Sequence, residues 1–156
     1  MPPELYHQLL KGPPIDYHMQ FGPNGTLIKV ASVSNETPNL VPVLAKLSEK
    51  DVNVAQAWLC DDGVRHVGKQ LPREGGFCGY RNIQMMISYI QATFPDDIHP
   101  FQGMLPSIIK LQYYIEKGWD MGINIHGRIE TGGIKGTRKY IGTSEVEPCF
   151  FFFWCL

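Results

Sequence analysis

The sequence predicts one α+β domain on three observations: two amphipathic helices in mid-chain, a glycine-dense stretch of short β-prone pieces after them, and 156 residues at 44% hydrophobic content, enough for one core. The first helix follows Gly75-Gly76-Phe77-Cys78 and places Ile83, Met86, Ile87, Ile90 and Phe94 on one face until Pro95 stops it. The second opens near Pro106, a residue suited to a first helical turn, and sets Ile108, Leu111, Ile115 and Trp119 on one stripe. Beyond it, Gly127, Gly132, Gly133, Gly136 and Gly142 separate Gly122-Ile123-Asn124-Ile125 and Lys139-Tyr140-Ile141, which read as loops and short strands.

The flanks are of different character. Seven of the twelve prolines fall in the first 42 residues, with Gly12, Gly22 and Gly25 among them, so residues 1–40 read as an extended Pro/Gly-rich arm. Residues 41–147 form the domain proper; Val43, Leu44 and Leu47 fit a helix over 41–50, and Asp51 is placed to cap a second one over 52–59. Ser144-Glu145-Val146-Glu147 has capping-box spacing, yet Pro148 and the uncharged, Phe-rich run to Leu156 contradict a helix. Residues 148–156 therefore read as foreign to the fold, as translated intron sequence would be, in preference to a buried terminal strand.

Composition excludes several functions. Fourteen Lys+Arg against fifteen Asp+Glu leave a net charge of -1, which gives no electrostatic case for nucleic acid or an anionic membrane. No uncharged run reaches the roughly 20 residues a membrane span needs. The four cysteines (Cys60, Cys78, Cys149, Cys155) form no CxxC pair, and no positively led apolar segment opens the chain, so a reducing compartment with free thiols is expected. Two N-x-T sequons, at Asn24 and Asn35, are read as chance matches. Gly132-Gly133-Ile134-Lys135-Gly136-Thr137 lacks the residue order of a phosphate loop, and Cys60 with His66 is only half of a zinc site, so no cofactor and no metal are expected.

Cys78 is the residue with chemistry to offer. It sits where a Gly-Gly turn feeds the start of a helix, so unpaired backbone N–H groups and the positive dipole end favour its thiolate and can line an oxyanion hole. By spacing alone, a small buried cysteine is the plainer reading. The flanking residues change that: Gly76-Phe77-Cys78-Gly79-Tyr80-Arg81-Asn82-Ile83-Gln84-Met85 closely resembles the nucleophile motif of the papain-like cysteine peptidases that remove ubiquitin or ubiquitin-fold modifier, a family with a zinc-finger-containing branch. Gly136-Thr137-Arg138-Lys139-Tyr140-Ile141-Gly142-Thr143-Ser144-Glu145 resembles the second signature of that family, with Tyr140 where tryptophan is common. The similarity covers roughly residues 41–146 and is greatest to fungal members.

The resemblance implies that Cys78 is the nucleophile, that the backbone N–H of Gly79 is an oxyanion donor, and that the chain is the helical, N-terminal half of a papain-like fold with much of the central sheet missing. Gln70, eight residues before Cys78, is a second oxyanion candidate by analogy with papain-like sites, although an exposed loop glutamine is the plainer reading. The family's histidine and aspartate lie beyond the second signature, and none of His7, His18, His66, His99 and His126 stands at a family catalytic position. The expected function is a cysteine peptidase of ubiquitin or ubiquitin-fold modifier conjugates, cut short and weak in turnover, monomeric, and cytoplasmic or nuclear. The alternative is a non-catalytic fragment that binds such a modifier, or a gene-model artefact with no cellular role.

Overall fold

The computed structural model describes residues 1–72, 74–95, 101 and 103–154, the last three of these by backbone alone. It mixes helices with two small sheets, compatible with an α+β domain. In chain order the elements are α1 (Pro3–Lys11), β1 (Ile15–Phe21), β2 (Leu27–Val33), β3 (Glu36–Thr37), α2 (Leu40–Lys50), β4 (His66–Val67), α3 (Cys78–Thr93), α4 (Ile108–Asp120), α5 (His126–Thr131) and α6 (Thr143–Trp154). β1 and β2 form an antiparallel hairpin; β3 and β4 form a second, two-residue antiparallel pair. No helix among the described residues is long and apolar enough to cross a membrane.

The core lies between α3 and α4 and is closed by α1 and α6. Phe77, Tyr80, Ile83 and Ile87 of the α3 region meet Ile108, Leu111, Ile115 and Trp119 of α4, with Leu9, Ile134 and Cys149 filling in from outside. Both mid-chain helices thus form as their periodicity predicts. The buried stripe of α3 is rotated from the expected one: Met86 and Phe94 are exposed, whereas Tyr80, Arg81 and Gln84 are buried.

The first 40 residues are not an extended arm. Pro3 occupies the first turn of α1, where a missing N–H costs nothing, and Gly12 ends that helix at φ +79°, with its N–H on Gln8 O. Pro23 lies in the hairpin turn, which Gly22 and Thr26 close with a 2.8 Å bond, and Pro42 sits in the first turn of α2. The prolines bound elements instead of excluding them. The helix expected over 52–59 is absent, because the Asp51 carboxylate takes the N–H of Asn53 at 2.9 Å and its amide at 3.0 Å, turning the chain away. The pieces 122–125 and 139–141 are not strands: Gly122 and Asn124 adopt positive φ in a turn, and 139–141 has no ladder partner.

The end of the described chain is helical through Pro148. The cap lies two residues before the predicted pair: the Glu145 carboxylate reaches back to the N–H of Gly142 at 2.6 Å. Pro148 cannot donate to the carbonyl of Ser144, and Asn124 does so in its place at 3.1 Å. Pro148 and Cys149 are buried, and α6 packs along α4, where Gly118 lets the helices approach; a Cβ there would lie 2.5 Å from the Pro148 carbonyl oxygen. Residues 148–151, read from sequence as part of a foreign segment, thus continue a helix packed on the core. Cys155 and Leu156 of that segment lie outside the described residues.

Candidate active site

Cys78 is the first residue of α3 and is exposed. The first helical hydrogen bond runs from Arg81 N–H to Phe77 O at 3.0 Å, and Phe77 contributes no side-chain cap. The N–H groups of Cys78 and Gly79 are therefore among the orphan donors of a helix start. The local fold follows from the sequence: Gly75 takes φ +88°, and Phe77, fully buried against Tyr80, anchors the turn so that the next side chain points outward.

The second signature lies over this turn. A Cβ on Gly76 would meet the Tyr140 ring at 2.5 Å, and one on Gly79 would meet Ile141 Cγ1 at 2.6 Å; the Arg138 guanidinium covers Gly75 in the same way. The segment holding these residues is clamped to α4. Gln112, fully buried, accepts from Gly136 N–H at 2.9 Å and donates to Thr137 O at 3.1 Å, and Glu116 accepts from Ile134 and Lys135 at 2.8 and 3.0 Å. The two motifs, sixty residues apart, form one surface around Cys78.

Gln70 is placed differently from an oxyanion donor. Both protons of its amide are spent on the last turn of α1, at 2.8 Å to Gly12 O and 3.3 Å to Gln8 O. Its segment is held by Glu74, whose carboxylate accepts the N–H groups of Gln70 at 2.8 Å and Leu71 at 3.2 Å. The same carboxylate forms a fork with Arg81 at 2.9–3.1 Å. Arg81 passes on to Gln84 at 2.9 Å, and Gln84 to Pro106 O at 2.7 Å. Glu74, Arg81, Gln84 and Gln112 escaped the sequence reading; the signal was there, in polar residues interrupting apolar helix faces beside Tyr80, Ile83 and Leu111.

His7, His18, His66 and His126 are exposed and none hydrogen-bonds Cys78; His99 lies outside the described residues. No group of three or more His, Cys, Asp or Glu side chains suited to a metal is found among the described residues, and Cys60 and His66 are both exposed. One turn on from Cys78, Asn82, Met85, Met86 and Tyr89 line an open apolar groove of about 780 Å³, with Cys60 and Phe150 on its walls.

The profile of peptidase family C78 matches residues 53–155, which takes in both motifs and α3 through α6. The chain belongs to this family. Within it, the chain is 30% identical over 140 residues to the zinc finger-containing ubiquitin peptidase 1 of Macaca fascicularis, a match covering 86% of this chain and 24% of that protein. The human protein of the same name is 36% identical over 97 residues, covering 60% and 16%. The ubiquitin carboxyl-terminal hydrolase mug105 of Schizosaccharomyces pombe is 37% identical over 78 residues, covering 49% and 31%. The chain thus spans less than a third of the length of each of these relatives.

Proposed function

We propose that the chain carries the nucleophile of a cysteine peptidase acting on conjugates of ubiquitin or a ubiquitin-fold modifier. One observation supports the reading: an exposed thiol on the first residue of α3, at a helix start whose first N–H groups have no helical partner, within the span that the family profile matches. Cys78 Sγ adds to the carbonyl carbon after the modifier's C-terminal glycine, and the negative charge moves to the carbonyl oxygen, where the Cys78 and Gly79 N–H groups stabilise it. The C–N bond then breaks, the amine leaves with a proton from solvent that balances the one the Cys78 thiol gave up, and a thioester remains, which water hydrolyses to the modifier's carboxylate and the free thiol.

On the family resemblance, the base and its orienting aspartate lie beyond the second signature. None of the described histidines hydrogen-bonds Cys78. Gln70 joins the oxyanion site only if its amide leaves Gly12 and Gln8. A monomer in the cytoplasm or nucleus is part of the same proposal.

The test is labelling by ubiquitin, and in parallel by a ubiquitin-fold modifier, each bearing a C-terminal electrophile. Labelling at Cys78 that Cys78→Ala abolishes is expected, and the faster probe names the modifier. A folded sample that takes neither probe defeats the catalytic reading. Titration of fluorescent ubiquitin, with binding unchanged in Cys78→Ala, would then establish the non-catalytic, modifier-binding role.

A further inference from the structure

We propose that Glu74 is a positioning residue for the oxyanion donors of Cys78 and Gly79, acting through Arg81; the proposal rests on Cys78 being an acyl-accepting nucleophile. Glu74 and Arg81 are 1% and 5% exposed, four residues before and three after the thiol. Burying a carboxylate and a guanidinium costs several kcal/mol per ion unless the geometry is good and further hydrogen bonds are made. Here both conditions hold: the carboxylate takes three contacts from the forked guanidinium and two more from the Gln70 and Leu71 N–H groups.

The consequence is a closed loop. Glu74 ties the segment that precedes the turn to the first turn of α3, so everything between residues 74 and 81 hangs from two ends that cannot separate. Arg81 is itself held from the far side by Gln84, whose amide is anchored on Pro106 O at the entry to α4. The segment so enclosed holds Gly75 and Gly76, which have no side chains with which to brace themselves. It ends in the Cys78 and Gly79 N–H groups that an oxyanion would need within hydrogen-bond reach. A buried ion pair adds little to stability over an apolar pair of the same size, but it does impose direction. That direction is what a transition-state site requires.

Two reactions of Cys78 separate positioning from mere folding. An aldehyde adds the thiol across its C=O bond, placing charge and then the proton on oxygen, and so uses the donors. Iodoacetamide is displaced at carbon, with iodide leaving and the thiol proton going to solvent, and forms no oxyanion. The full chain is reacted with a short peptide ending in glycinal and with ubiquitin ending in the same aldehyde, the reversible hemithioacetal being followed in solution by the NMR signal of the 13C-labelled aldehyde carbon that Cys78→Ala removes, and with iodoacetamide, whose thioether at Cys78 is followed by mass mapping. Glu74→Gln is expected to slow aldehyde addition ~10-fold or more and to leave the iodoacetamide rate within about twofold. Arg81→Lys keeps the charge without the fork and serves as a second variant if Glu74→Gln does not fold; a smaller loss in the same direction is expected.

An equal fall with both reagents in a folded variant, or unchanged aldehyde addition, overturns the proposal. So does a wild-type chain that takes iodoacetamide but neither aldehyde, because it then has no positioned donors to lose. Addition of the peptide aldehyde but not of ubiquitin aldehyde would instead count against the ubiquitin reading and leave the role of Glu74 standing.

Discussion

At the scale of single residues, the cysteines divide by environment. Cys60 and Cys78 are exposed, while Cys149 is fully buried in α6 and burial pushes its thiol up from 9.0 to about 12. At pH 8, iodoacetamide should therefore modify Cys60 and Cys78 in minutes and reach Cys149 only after urea is added, as peptide mapping would show; equal rates at all three would refute the packing of α6. The native state holds the Cys149 proton more tightly than the unfolded chain does. This contribution to stability is therefore complete below about pH 9 and lost as pH rises toward about 12. Burial moves the Tyr80 phenol upward too, so alkaline unfolding should begin above pH 9 and be shallower in Cys149→Ala. The candidate nucleophile was legible because its surroundings are local, a Gly-Gly turn and a helix start. The fate of Gln70 was not, because its partners Gln8 and Gly12 lie 62 and 58 residues away.

At the scale of elements, α3 and α4 form where their sequence periodicity predicts helices, α3 with its buried stripe rotated, and the departures elsewhere have identifiable side-chain causes. Asp51 diverts residues 52–59, and Asn124 accommodates Pro148 inside α6 by bonding the Ser144 carbonyl. The close approach of α4 and α6 depends on Gly118, where a Cβ would lie 2.6 Å from Pro148 Cβ and 2.5 Å from its carbonyl oxygen. Gly118→Ala must pry the helices apart and should lower stability by ~2 kcal/mol, the usual cost of overpacking, as read by urea unfolding. An unchanged midpoint would mean that α6 does not pack there. The Phe-rich run suggested a foreign tail because it has no polar face. Burial of Pro148 and Cys149 against α4 gives the start of that segment a partner that local pattern could not reveal, while Phe151 stays exposed.

At the scale of the whole molecule, apolar surface is unevenly covered. The β1–β2 register sets Tyr17, Met19, Phe21 and Leu27 on one face of the hairpin; all four are more than half exposed and none belongs to the core cluster. Phe21→Ser with Leu27→Ser should raise solubility in light scattering and change unfolding free energy by no more than ~0.5 kcal/mol, as surface changes do. A large loss of stability would show that the hairpin is part of the cooperative core. What the sequence by itself determined was the pair of mid-chain helices, the glycine turn before the nucleophile, and the family to which Cys78 and its second signature point. Helix periodicity and turn chemistry act over a few residues and can be read along the chain. Only the tertiary structure decided that the second signature lies on Gly75, Gly76 and Gly79, that Gln112 and Glu116 hold it there, and that Glu74 and Arg81 brace the turn from below. These are contacts between polar groups removed from water, whose partners are selected by hydrogen-bond satisfaction in a closed interior and not by any spacing along the chain.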